Sequence, residues 1–512
     1  MMSPSVVKDT EASNKRGSFA VDVLKLVSGT GFAQALGILG AFFTTRFFAP
    51  SAFGVAALYA SLASLVTMII CMRYELSILL PEKDGEAVNV VGVSFSFLLL
   101  ITAVSTAIVW VGGEALARLL KTPELDRYLW LFPISLFFGG LLAVLIHWNT
   151  RKKQFTLLTI AQVVGAACTL GAQVTLGLAG HVAGGYLILA ALFGSAVSTS
   201  MLAVVTWRRN SKLFLENARF ERVLAALKRY SRFPKYSTGK ALLDAVAWQL
   251  PVWFLSRTFS TSVVGQYALG TKLLHMPIAL VGTNVAIVFF ERAAKVRHQG
   301  TLAEVVENTF FYLITYCVFP CLMLSLVGKD LFVVAFGPRW AEAGVYAQIL
   351  SVWLCVWFAS SPLGVVLDVL EQQPLHLRLS LLNVVSRLAA LTIGTLTHSP
   401  RITIALFAAS AVLVYGYYCL AILKWARVSR RKVLPTALTR LVRLIPAAAV
   451  IVALKILRSP SILVVAAAVI MVLLYFVYVL RTDPAFREFI HARFARTEVE
   501  AANMQNPETN AA

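Results

Sequence analysis

The sequence is poor in acidic residues and in charge of either sign. Of its 512 residues, 25 are Asp or Glu and 46 are Lys or Arg, and charged residues make up only 14% of the chain. Apolar residues make up 58%, and the mean hydropathy is +0.76. This composition excludes a soluble globular protein. The net charge of +21 would suit nucleic acid, but in a membrane protein Lys and Arg accumulate in cytoplasmic loops.

Catalytic and metal-binding patterns are also missing. The chain holds no G-x-x-x-x-G-K-[ST] phosphate loop, no H-E-x-x-H and no G-x-S-x-G. All six cysteines lie inside apolar stretches, and Cys317 and Cys321 stand one helical turn apart, which argues against a disulfide framework or a metal site. The sequence therefore predicts a protein that is not an enzyme and that carries no cofactor and no metal.

What the sequence does contain is a series of long apolar runs. Runs of about 20 residues cross a hydrocarbon core of about 30 Å, so the chain is predicted to be an all-α polytopic membrane protein. We predict fourteen spans, at 24–48, 55–80, 88–111, 127–147, 155–179, 182–207, 236–258, 264–290, 305–327, 341–367, 375–397, 402–425, 440–457 and 460–481. With the N-terminus in the cytoplasm, 33 Lys and Arg fall on the inner side and ten on the outer side. This excess follows the positive-inside rule, predicts both termini in the cytoplasm, and explains the charge without nucleic acid.

An internal repeat divides the spans into two sets. A shift of 211 positions pairs identical residues at eight of twenty positions: Phe43 with Phe254, Arg46 with Arg257, Phe48 with Phe259, Ser51 with Ser262, Gly54 with Gly265, Ala57 with Ala268, Leu58 with Leu269 and Leu62 with Leu273. A looser repeat pairs Gly113, Leu116 and Pro123 with Gly328, Leu331 and Pro338. An even number of spans separates the copies. The repeat therefore predicts two six-helix lobes related by an axis along the membrane normal, facing each other across a cavity.

We divide the chain accordingly into an N-terminal lobe (1–207), a basic cytoplasmic linker (208–235), a C-terminal lobe (236–425), two additional spans (426–482) and a cytoplasmic tail (483–512). In the linker, an apolar stripe of Phe220, Val223, Leu224 and Leu227 lies opposite basic residues, a pattern typical of an amphipathic helix. Such a helix lies either on a membrane surface, bound to anionic lipids, or in solvent as a linker helix.

Cations at membrane depth are the candidate binding residues, because each costs about 3 kcal/mol or more unless it faces a wet cavity or a partner. Arg387 is the deepest and shares a polar stripe with Ser380 and Asn383. Arg46 and Arg257 are equivalent in the repeat and either extend to the interface or line the cavity. The candidates for binding substrate are Arg387, Lys272, Arg73, Arg46, Arg257, Lys240 and Asn383.

Two acids within the spans are candidates for binding a coupling ion. The first is Asp244, which lies one helical turn from Lys240 and could form an internal ion pair with it. The second is Glu75, which on a continuous helix would face away from Arg73.

Overall, cations outnumber acids within the spans, which favours an anionic substrate such as a phosphate or pyrophosphate headgroup. An exporter of drugs or cations would need more carboxylates. A membrane-embedded polymerase or glycosyltransferase would need a larger outer loop than 112–126, the longest one here.

Four motifs resemble a known family. TTRFFAPSAFGVAALY (44–59), RYELSILLPE (73–82), VGQYALGTKLLHMPIALVG (264–282) and FGPRWAEAGVYAQILSVW (336–353) occur in the order found in bacterial polysaccharide repeat-unit flippases. These Wzx-like proteins belong to the multidrug/oligosaccharidyl-lipid/polysaccharide exporter superfamily. The resemblance extends over about residues 20 to 425. Fourteen spans also resemble the peptidoglycan-precursor flippases of that superfamily, but the motifs fit the polysaccharide branch better.

The resemblance implies a V-shaped pair of six-helix bundles that work by alternating access in the bacterial inner membrane. They would move an undecaprenyl-pyrophosphate-linked oligosaccharide from the cytoplasmic to the periplasmic leaflet, for O-antigen, capsule or exopolysaccharide assembly. A polysaccharide polymerase and a co-polymerase are implied partners. An inside-negative potential would favour outward movement of negative charge by about 2.3 kcal/mol per charge per 100 mV. Ion antiport through Asp244 or Glu75 is the alternative source of energy.

Overall fold

The structure is a computed structural model that describes residues 31–119, 122–234, 238–277, 289, 301–370 and 372–482. The first lobe contains six long helices: α1 (31–47), α2 (Pro50–Ile69), α3 (Asp84–Leu119), α4 (Phe132–Arg151), α5 (Phe155–Leu178) and α6 (Gly184–Asn217). A short linker helix, α7 (Phe220–Arg229), follows. Helices suit these sequences because a helix satisfies all backbone polar groups within itself, as a hydrocarbon surrounding requires.

The second lobe repeats this plan, and three helices follow it. Its helices are α8 (Thr238–Thr258), α9 (Thr261–Pro277), α10 (Leu302–Phe336), α11 (Ala341–Ser360), α12 (Gln373–Leu396) and α13 (Pro400–Trp425). The three helices that follow, which we call the appendage, are α14 (Arg430–Val442), α15 (Ile445–Ile456) and α16 (Ser461–Thr482). Pro50 and Pro400 occupy the first turns of α2 and α13, where a missing N–H costs nothing.

The predicted all-α membrane fold is confirmed, and each predicted span coincides with a helix over its described residues; residues 24–30, 236–237, 278–288 and 290 of these spans lie outside the described part of the chain. Within the described residues, ten helices are long and apolar enough to cross a membrane. The other four predicted spans correspond to α1, α8, α9 and α15, which are shorter or more polar. The count of fourteen stays a prediction, and so do the domain boundaries.

The second predicted span is wrong at its inner end. The prediction runs from 55 to 80, but α2 ends at Ile69, and a 3₁₀ helix (Tyr74–Leu79) follows after a turn. In this turn Met72 and Arg73 have φ values of 49° and 63°, in the left-handed region that side chains rarely adopt. The chain therefore changes direction at Arg73 instead of continuing as one helix.

The lobes meet along α2 and α9, and two glycines make this contact close. A Cβ on Gly54 would lie 1.8 Å from the carbonyl oxygen of Thr261, and a Cβ on Gly265 would lie 1.8 Å from that of Pro50. The repeat pairs position 54 with 265 and position 50 with 261, so each contact is the symmetry mate of the other. Reciprocal contacts of this kind are what a two-fold axis between α2 and α9 produces.

A second pair of reciprocal contacts lies at the same end of the lobes. Trp340 Nε1 donates to the carbonyl oxygen of Thr45 at 3.3 Å, and a guanidinium N–H of Arg339 donates to the same oxygen. In the opposite direction, the hydroxyls of Thr122 and Ser256 lie 3.1 Å apart. Position 256 is the repeat equivalent of 45. We call all these contacts the outer seam, because the charge distribution predicts that this end faces outward.

The linker helix α7 packs against α3 with part of its apolar stripe. A Cβ on Gly92 would lie 3.0 Å from Val223, and Tyr74 Oη donates to the carbonyl oxygen of Leu227 at 3.0 Å. Phe220 remains 82% exposed and Leu224 43% exposed. Half of the stripe therefore belongs to the protein interior. The binding of anionic lipid by residues 208–235 stays a prediction.

Candidate functional site

The two lobes also contact each other about halfway along α2. Trp253 Nε1 donates to Ser61 Oγ at 3.0 Å, and Gln249 Nε2 donates to Ser64 Oγ at 2.9 Å. Ser64 is exposed although it lies in the middle of a membrane helix. It therefore borders a space between the lobes on the inner side of the outer seam.

Lys272 lies at the same depth in the second lobe. It occupies the repeat equivalent of Ser61, eleven residues after the first residue of its helix, and its side chain is exposed. Because Ser61 contacts the opposite lobe, the two-fold relation directs Lys272 toward the first lobe. Lys272 is thus an exposed cation on the surface between the lobes.

Arg73 and Glu75 are close together, which corrects the expectation that they face apart. The left-handed turn brings Arg73 Nη1 to 3.6 Å from Glu75 Oε1. Glu75 lies beyond the end of α2 and is 5% exposed, and burial raises the pKa of its carboxyl. Within the described residues, Arg73 Nε and Glu75 Oε2 have no hydrogen-bond partner. The pair is therefore only partly satisfied by the protein.

Arg387 is enclosed within the second lobe, where its guanidinium is 0% exposed. Its Nη1 donates to the carbonyl oxygen of Ala247 at 2.9 Å, and its Cζ lies 5.1 to 5.4 Å from the ring centres of Trp248, Trp353 and Phe407. Arg387 Nε and Nη2 have no hydrogen-bond partner in the described part of the chain. Aromatic faces attract a desolvated cation, so this aromatic box offsets part of the cost of burial.

A cavity of about 340 Å³ adjoins the aromatic box. It is lined by residues from α8 and from α11 to α13, among them Asp244, Ser380, Asn383, Tyr415 and Tyr418. Asp244 interacts electrostatically with Arg387, so the structure brings together a coupling-ion candidate and the deepest cation. The side chain of Lys240, the predicted ion-pair partner of Asp244, lies outside the described residues.

The remaining candidates lie near the outer seam. Arg46 is exposed at the end of α1, and Arg257 is exposed at the end of α8, as their equivalence in the repeat predicts. The structure therefore does not gather the seven predicted substrate-binding residues into one site. It separates the six described ones into α9 (Lys272), the turn after α2 (Arg73), the interior of the second lobe (Arg387 and Asn383) and the two outer ends (Arg46 and Arg257), while the side chain of Lys240 lies outside the described residues.

Sequence reasoning missed two features of the second lobe. Trp353 and Trp357 stand one turn apart on α11, but nothing in their spacing shows that Arg387 lies against Trp353. Similarly, Cys355 joins Cys317 and Cys321, whose sulfurs are 3.4 Å apart, and all three sulfurs lie within 4.8 Å of one another. Three thiols are ligands that soft metals prefer, so this cluster weakens the argument against a metal site.

Two related lobes in contact, with ten helices in the described residues long enough to cross a membrane, are the arrangement of a multi-pass membrane transporter. Residues 43–345 match the family described as polysaccharide biosynthesis protein, and the chain belongs to that family. This match confirms the predicted resemblance to polysaccharide flippases.

Comparison with known proteins agrees with this assignment. The fold is similar to that of a structure described as the lipid II flippase MurJ in an inward closed conformation. The TM-score is 0.69 at 12% identity, over 89% of this chain and 98% of that one. It is also similar to an inward-facing multidrug resistance MATE family transporter of the MOP superfamily, with a TM-score of 0.54 at 15% identity, over 79% and 92%. These likenesses show the fold of that superfamily.

A sequence relative is also known in Klebsiella pneumoniae, described as an uncharacterized membrane protein in the cps region. It is 20% identical over 218 residues, which span 40% of this chain and 42% of the relative. The chain thus matches less than half the length of that curated relative.

Proposed function

We propose that the protein is a flippase that moves a lipid-linked oligosaccharide, carried on undecaprenyl pyrophosphate, through the space between its lobes. Movement would run from the cytoplasmic to the periplasmic leaflet of the bacterial inner membrane, with both termini in the cytoplasm. The family assignment and the two-lobed fold support this proposal. A polysaccharide polymerase and its co-polymerase are the partners we expect to use the product. The protein would carry out no covalent chemistry.

The observation that carries the proposal is the position of Lys272. A lysine exposed to lipid at this depth would cost about 3 kcal/mol, whereas a lysine facing a wet space between lobes keeps its charge solvated. There it can bind phosphate oxygens as a point charge. Arg73 lies near the inner end of α2, where its incompletely satisfied guanidinium is a second candidate contact for the headgroup.

Closure at the outer seam fits the stage at which substrate enters from the inner side. The pair of Gly54 and Gly265 and the bonds to Thr45 and Ser256 close the outer end of the lobes. Alternating access requires these contacts to separate when the headgroup leaves. The membrane potential would favour that step for a negatively charged headgroup. Glu75 and Asp244 are the carboxylates that would bind an exchanged ion.

Arg387 has a different place in this proposal. Its guanidinium is enclosed by three aromatic rings and does not line the adjoining cavity. We therefore assign it to the support of α8, α11, α12 and α13 and to the charge balance of Asp244. Asn383, one turn away, does line that cavity.

Substitution of Lys272 tests the proposal. Lys272→Ala should lower polysaccharide export about tenfold or more, the effect of losing one charged hydrogen bond, while Lys272→Arg should retain most of it. The measurement is surface polysaccharide in a strain whose own copy is deleted, normalised to the amount of protein in the membrane. Lys212→Ala, which removes an exposed lysine at the end of α6, is the matched control. Full export by Lys272→Ala at normal abundance would refute the assignment.

One observation favours a second candidate, the export of organic cations. Asp244 lines the 340 Å³ cavity with Trp248, Trp357 and Tyr415, and a carboxylate among aromatic rings suits a cationic ligand. Asp244→Asn distinguishes the two functions. Loss of resistance to cationic drugs with unchanged polysaccharide export would favour the drug exporter.

A further inference from the structure

A second polar cavity lies where the appendage meets the second lobe. Its volume is about 640 Å³, and it opens among α10, α14, α15 and α16 near the ends predicted to face the cytoplasm. The polar residues that line it include Asn308, Arg440, Arg443, Tyr475, Tyr478 and Thr482. No carboxylate is among the lining residues in the described part of the chain. The cavity is therefore cationic and lies apart from the space between the lobes.

The length of α15 fixes the depth of this cavity. With twelve residues, α15 is about 18 Å long, whereas the hydrocarbon core is about 30 Å thick. Near its outer end, Lys455 pairs with Asp330 at 2.8 Å, which holds that end near the outer interface. Arg443, just before the start of α15, must therefore lie at or within the border of the inner leaflet. An arginine at that depth requires an anionic or polar partner.

The protein supplies only part of such a partner. Arg440 Nη1 donates to the carbonyl oxygen of Phe311 at 3.1 Å and to Thr315 Oγ1, and its Cζ lies 4.8 Å from the Phe311 ring. The hydrogen bonds described for Arg440 use Nη1 alone, although a guanidinium has five N–H donors. Arg443 is exposed.

Two further features suit a lipid headgroup. Tyr475 Oη donates to the carbonyl oxygen of Thr315 at 2.7 Å, and Tyr478 is 61% exposed, so two tyrosines stand at the depth where aromatic residues favour the membrane interface. Leu444 lines the cavity immediately before α15 begins, so the positive end of that helix faces the same space. Around the cavity, Leu441, Val442 and Ile445 are exposed apolar residues against which acyl chains can lie.

We propose that this cavity binds the phosphate headgroup of an anionic membrane phospholipid, with Arg440 and Arg443 as the phosphate contacts. The lipid completes the donors that the protein leaves open and compensates for the shortness of α15. This inference does not depend on what passes between the lobes, and its test involves no transport.

The test is lipid binding to the purified full-length protein, measured by native mass spectrometry and by the melting temperature in detergent. The probes are phosphatidylglycerol, phosphatidylcholine with the same acyl chains, and inorganic phosphate. We expect phosphatidylglycerol to bind and to raise the melting temperature, and the other two to have little effect. Arg443→Gln should weaken binding roughly fivefold, and Arg440→Gln with Arg443→Gln should weaken it further, because each arginine near an anionic surface contributes about that factor.

Arg378→Gln is the matched control, since it removes an exposed arginine from α12, outside both the linker and this cavity. It should leave phosphatidylglycerol binding at this cavity unchanged. Equal effects of the two phospholipids, an equal effect of inorganic phosphate, or undiminished binding by Arg443→Gln would overturn the proposal. Because Arg440 also bonds Phe311 and Thr315, the exposed Arg443 provides the decisive variant if the double variant does not fold.

Discussion

Alanine substitution of the two seam glycines should force the lobes apart. A Cβ on Gly54 would lie 1.8 Å from the Thr261 carbonyl oxygen, whereas real contacts of this kind stay beyond 3.0 Å. The helices must therefore separate by about 1.2 Å, and the same separation follows for Gly265 against Pro50. Neither obstacle is a flexible side chain, because both are backbone atoms. Overpacking of this type costs about 1 to 3 kcal/mol.

This cost falls on the conformation in which the outer seam is closed. Alanine also stabilises a helix by up to about 1 kcal/mol relative to glycine, in every conformation alike. The net effect of Gly54→Ala is thus a shift of the equilibrium toward the outward-open state by about 5- to 150-fold, since 1.4 kcal/mol is a factor of ten. Gly265→Ala should behave alike because the two contacts are related by symmetry.

Thiol labelling detects this shift. A cysteine at Ser64, on the inner side of the seam, should react with a membrane-impermeant maleimide added to cells more quickly when Gly54→Ala is present. Polysaccharide export should fall at the same time. Gly171→Ala is the control, because nothing lies within 4 Å of the Cβ it adds to α5. Unchanged labelling and export by both Gly54→Ala and Gly265→Ala would refute the account of the seam.

Two further predictions concern the seam and the aromatic box. The native hydroxyls of Thr122 and Ser256 are 3.1 Å apart, so the double variant Thr122→Cys with Ser256→Cys should form a disulfide between the lobes on oxidation. The disulfide should stop export, and a reductant should restore it. A cross-linked protein with full export would contradict alternating access at this seam. Arg387→Ala should lower the melting temperature of the purified protein, because breaking a buried charge cluster costs about 3 kcal/mol or more. Arg387→Lys should lower it less. An unchanged melting temperature with lost export would return Arg387 to the substrate site.

The sequence by itself determined the class of protein and much of its plan. Length and apolarity of a span are local properties, so each helix could be located from the order of residues alone, although several helix ends differ from the predicted ones by eight to eleven residues. The repeat at 211 positions predicted equivalent lobes, and Gly54 and Gly265 meet the partner lobe in symmetrical contacts. A glycine conserved between the two copies on a helix surface was the signal for that close approach.

Tertiary structure decided which polar residues share a site. The depth of Arg387 follows from its span, but its partners Trp248, Trp353 and Phe407 come from three other helices, and no spacing along α12 indicates them. Arg73 and Glu75 would diverge on a continuous helix, and they pair because two residues take left-handed backbone angles. Helical periodicity fixes which side chains share a face of one helix. Which faces meet depends on how all the helices pack, and that arrangement places Lys272 between the lobes and Arg387 inside one of them.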